Sequence, residues 1–86
     1  MTTGEMQLWT NRFKEIVDAK ANNGIKSMRL SNLMTDLESA YNIPMVGKKR
    51  IELFEAIHPH VMQLYRTVSE ARVFWKKSET GGNKND

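Results

Sequence analysis

The sequence predicts an all-α fold: a small bundle of three to four helices followed by a disordered C-terminal tail. Three observations carry this. Apolar residues recur at three- and four-residue steps, helix-stopping residues separate the stripes, and the last residues hold no apolar anchor. The chain has 86 residues, 40% hydrophobic and 27% charged, which suits one folded core and is too apolar for a wholly disordered polypeptide. A domain of this size buries roughly 60% of its unfolded surface, so pairing with a second copy or a partner adds stability it is short of.

The first stripe is Met6, Trp9, Phe13, Ile16, Val17 and Ala21, with Thr2 or Thr3 as the cap. Asn22-Asn23-Gly24 is expected to stop this helix, since Asn and Gly tolerate the left-handed conformation, with Lys20 as a favourable cation in its last turn. Leu30, Leu33, Met34, Leu37 and Tyr41 form the second stripe, with Ser27 or Ser31 as its N-cap. Asn42-Ile43-Pro44 ends it, because the proline ring disfavours helical geometry at Ile43 and lacks a backbone donor.

After a Met45-Val46-Gly47 loop, a shorter helix from Lys48 to Ile57 is expected to bury Leu53, Phe54 and Ile57. Pro59 then starts the longest helix, since proline is tolerated at a first helical position. Its seam is Val61, Leu64, Tyr65, Val68, Ala71 and Trp75, ending near Lys77. Residues 1–77 therefore make one helical domain, and residues 78–86, polar and containing Gly81-Gly82, make the tail.

Composition excludes several classes of function. Without cysteine there is no disulfide framework, thiolate nucleophile or cysteine-held zinc, which fits a reducing, cytoplasmic setting. Met1 to Met6 lacks a basic stretch leading into an apolar one, and no apolar run is long enough to span a bilayer, so neither secretion nor membrane insertion is expected. His58 and His60 flank Pro59 at a spacing unlike the three or four residues that helical zinc sites favour, and Glu52 and Glu55 complete no metal pattern with them. They read as helix-start residues.

Catalytic patterns fare no better. Thr67 and Ser69 lack a glycine-rich elbow, Asp36 and Glu38 face different ways, and Glu52 and Glu55 fit a solvated face. Gly47-Lys48 lacks the upstream glycine and the following hydroxyl residue of a phosphate-binding loop. No catalytic residue, cofactor or metal is assigned, and the chain is not expected to be an enzyme.

Two surface features remain. Lys48, Lys49 and Arg50 sit at a helix start, where cations oppose the helix dipole by a few tenths of a kcal/mol each. Such cations meet water, an acidic protein or phosphates. A helix-turn-helix is the specific nucleic-acid version, but the connection across Asn42 to Gly47 is long, and no Asn or Gln in the helix that follows is placed to read adenine. The second feature is apolar: Leu8 falls off the first stripe, and Met62, Val73 and Phe74 fall off the last. Aromatic and methionine side chains suit interface centres, so Met62, Phe74 and Trp75 are the expected partner-binding anchors. The expected function is thus a small regulatory or adaptor domain that binds a protein partner, with a homodimer as one form. The alternative is a nucleic-acid-binding module using Lys48, Lys49 and Arg50.

Overall fold

The computed structural model describes residues 1–81, with side chains described through Trp75. The elements are α1 (Thr3–Asp18), α2 (Asn23–Tyr41), α3 (Lys48–Ile57) and α4 (Pro59–Gly81), and there is no strand among the described residues. The fold is all-α, as the apolar spacing predicts. The α4 backbone extends past Lys77 to Gly81, and the rest of the expected tail, residues 82–86, lies outside the described residues.

Thr2 starts α1 through a reciprocal capping box. Its hydroxyl accepts from the Glu5 N–H at 3.1 Å, and its own N–H donates to Glu5 Oε1 at 3.0 Å. The helix ends at Asp18, earlier than expected, because Asn22 starts the next helix instead of stopping this one. The Asn22 side chain accepts from the Ile25 N–H at 2.8 Å, which leaves Ser27 and Ser31 inside α2. Nor does Lys20 lie in the last turn of α1. That role falls to Lys26, whose Nζ donates to the Val17 carbonyl at 2.7 Å from the neighbouring helix.

At the far end of α2, Asn42 takes the left-handed conformation (φ 53°, ψ 47°), and the Asn42 and Ile43 N–H groups both return to the Glu38 carbonyl. This turn drives Ile43 into the core at 5% exposure. Gly47 enters α3 at φ 91°, a conformation that side chains disfavour. His58 separates α3 from Pro59, the first residue of α4.

The core is built on α2 and α4. Leu30, Leu33, Leu37, Val61 and Val68 are sealed from solvent, with Ile16 from α1 added. Full burial of one such side chain contributes about 1.5–3 kcal/mol. The two long helices run antiparallel: Tyr65 meets Glu38 at one end of α2, and Trp75 meets Lys26 at the other. α1 runs antiparallel to α2, joined by Trp9 to Tyr41, Arg12 to Asp36 and Lys26 to Val17. The Cα trace measures 43 × 29 × 16 Å, and its thinnest direction holds about two helix layers.

α3 departs from expectation because none of its residues is buried. It leans on the core through Ile51 and Phe54, and bidentate pairing of Glu55 with Arg66, at 2.6 and 2.7 Å, ties it to α4. At 3.6 residues per turn Leu53 points about 160° away from Ile51. Leu53 and Ile57, expected in the core, are therefore exposed to 62% and 61%.

Candidate interaction surface

Of the three expected anchors, the structure leaves Phe74 fully on the surface. Phe74 is 61% exposed and lies edge-to-face on Trp75, with ring centroids 5.1 Å apart. Trp75 is half-buried: it packs against the core, and Lys26 Nζ sits 4.4 Å from its ring centroid. Met62 corrects the sequence reading, because it belongs to the core at 5% exposure. The start of α4 lies among α2, α3 with the Pro44-Met45 segment, and the N-terminal end of α1, whose Met6 lines a cleft with His60. A side chain off the main seam there still meets protein. Met62 lines a cleft of about 360 Å³ together with Met45, Ile51 and Tyr65.

Lys48, Lys49 and Arg50 are all exposed, and no ion pair within the described residues involves them. Gly47 has no side chain to cap the helix they begin. Their end of α3 therefore presents cations together with the positive end of a helix dipole. Lys49, Leu53 and Ile57 follow at four-residue steps, so one stripe runs from a cation to two exposed aliphatic side chains. Val46 is exposed just before the helix. The α3 face is the surface that sequence reasoning missed. Its signal was present in the alternative phase, Ile51 and Phe54 inward with Leu53 and Ile57 outward.

Polar chemistry elsewhere serves the fold. Tyr65 donates its hydroxyl proton to Glu38, and burial first, then this hydrogen bond, push its pKa up to about 12. Tyr41 accepts from Trp9 Nε1 at 2.9 Å and donates to Glu5 at 3.2 Å; burial is the main cause of its raised pKa. The Arg66 guanidinium, through its hydrogen bonds, holds the Glu55 carboxyl below the usual range. His58 and His60 are exposed, and the His58 ring tilts against Phe54 at 4.9 Å. Among the described residues no three His, Cys, Asp or Glu side chains gather in a way that could hold a metal ion. No helix among them is long and apolar enough to cross a membrane.

No protein-family model matches the chain, and neither the curated proteins nor the solved structures gave a match to it.

Proposed function

We propose that this chain is a non-enzymatic protein-interaction domain, of regulatory or adaptor type, working in a cytoplasmic setting. The observation that carries the reading is α3, a ten-residue helix with no buried residue that turns Leu53 and Ile57 outward. An amphipathic helix whose second apolar side lies in water gains by docking that side on another surface. Phe74 at the far end of α4 provides a second, separate contact point, with self-association as one use of it.

Capture from the cell that makes the protein tests this reading, with the wild-type chain, Leu53→Ser/Ile57→Ser and Phe74→Ser as parallel baits. A protein held by the wild type and lost on either variant supports an interaction domain. Identical sets on all three baits refute it.

A second reading, nucleic-acid binding through the start of α3, is favoured by the exposure of all three adjacent cations there. Phosphate binding would weaken steeply with added salt and on neutralising Lys48, Lys49 and Arg50. Unchanged nucleic-acid binding by that triple variant would end the reading.

A further inference from the structure

We infer that the outward face of α3 docks an acidic, amphipathic segment of a partner protein, with apolar side chains on Leu53 and Ile57 and carboxylates around Lys49. The inference rests on the interaction-domain reading and adds the chemistry of the partner.

Charge complementarity is the argument. Three cations in the first turn of α3 oppose that helix's own dipole, and no acidic residue shares the turn. None of the three forms an ion pair within the described residues. The cations, the dipole and the backbone N–H groups left without a side-chain cap at Gly47 all favour negative charge at one place. A turn further on, Leu53 and Ile57 favour aliphatic contact. The face is thus graded along its length, and the grading orients its occupant: acidic groups toward Gly47, apolar groups toward His58.

The same features disfavour two other occupants. A second copy would bring the same basic face, and the whole chain carries a net charge of +3. Single-stranded nucleic acid would find no exposed Phe, Tyr or Trp on α3 to stack a base on, because Phe54, the one such side chain there, packs toward the core and against His58.

The test is selection of displayed random peptides about 16 residues long, enough for about four helical turns, on the immobilised full chain. Leu53→Ser/Ile57→Ser and Lys48→Gln/Lys49→Gln/Arg50→Gln serve as comparison targets. All five positions are exposed or partly so and outside the core, and circular dichroism verifies that both variants keep their helix content. Selected peptides should combine Asp or Glu with apolar residues at three- and four-residue steps. Their affinity should fall about tenfold or more on each variant, and its salt dependence should fade on the triple variant. Peptides without acidic enrichment that still need Leu53 and Ile57 overturn the acidic partner and leave the interaction surface standing. Peptides that bind both variants like the wild type overturn the two readings together. Two further results would sink the inference: a DNA duplex that needs the cations but not Leu53 and Ile57, or wild-type self-association that the double variant abolishes.

Discussion

The α2–α4 seam and α3 are built from similar residues and end in opposite places. Leu30, Leu33 and Leu37 on α2 are sealed from solvent, whereas Leu53 on α3 is 62% exposed. Apolar content does not separate the two helices, at eight of 19 residues in α2 and five of ten in α3. Length and neighbours do: α2 lies between α1 and α4, while α3 is short and packs mainly on α4. An apolar residue is core only if an adjacent element covers it, and a ten-residue helix braced from one side leaves its outer stripe uncovered.

The largest effect should come from truncating the seam. Leu37→Ala is expected to lose about 2–5 kcal/mol, a large share of what a domain this small possesses. Thermal denaturation followed by circular dichroism measures it, and a loss below about 1 kcal/mol would break the contrast between the two regions. Asn22→Ala, which deprives the Ile25 N–H of its acceptor, should lose about 1 kcal/mol by the same method. The identical truncation on the other region, Leu53→Ala, should change stability by no more than about 0.5 kcal/mol. A cost like that of Leu37→Ala would mean α3 is covered in solution.

Two measurements sharpen the comparison. Amide hydrogen exchange should be faster across α3 than across the middle of α2, because local opening there uncovers little apolar surface. Equal protection would show that α3 opens only with the whole bundle. The second concerns the seam and pH. Tyr65 has a folded pKa of about 12 against an ordinary 10.0, so its contribution to stability is whole below pH 10.0 and is lost as pH rises toward about 12. Lysines titrate in the same range, so the readout is the difference in denaturation midpoint between the wild type and Tyr65→Phe. That difference should shift in the wild type's disfavour across this window, and a constant difference would contradict the raised pKa.

The sequence was most legible where the chain has a proline. Pro44 and Pro59 act through fixed local geometry, and the bounds of α3 fall at Lys48 and Ile57 as expected. The stripes of α2 and α4 were legible too, since Leu30, Leu33 and Leu37, and Val61, Leu64 and Val68, recur at three- and four-residue steps and are all buried. The α1–α2 junction was not, because asparagine suits the end of one helix and the start of the next, and only the acceptor role of the Asn22 side chain decides between them. In α3 the apolar arcs Leu53-Phe54-Ile57 and Ile51-Phe54 are both contiguous. The pairing of Glu55 with Arg66, a contact distant in sequence, accompanies the second. Met62 moved from surface to core for the same reason, since its cover comes from a neighbouring element. The cations at positions 48–50 were legible as a cluster; the exposed stripe that continues from Lys49 became visible only once α3 had its orientation.

The chain's two tryptophans stand at opposite ends of α2: Trp9 against the Tyr41 hydroxyl, and Trp75 beneath the Lys26 ammonium. Each indole is quenched or released by its own surroundings, so replacing one with phenylalanine turns the other into a private reporter. Emission from the two single-tryptophan proteins then times the parting of either end of the bundle independently of the other.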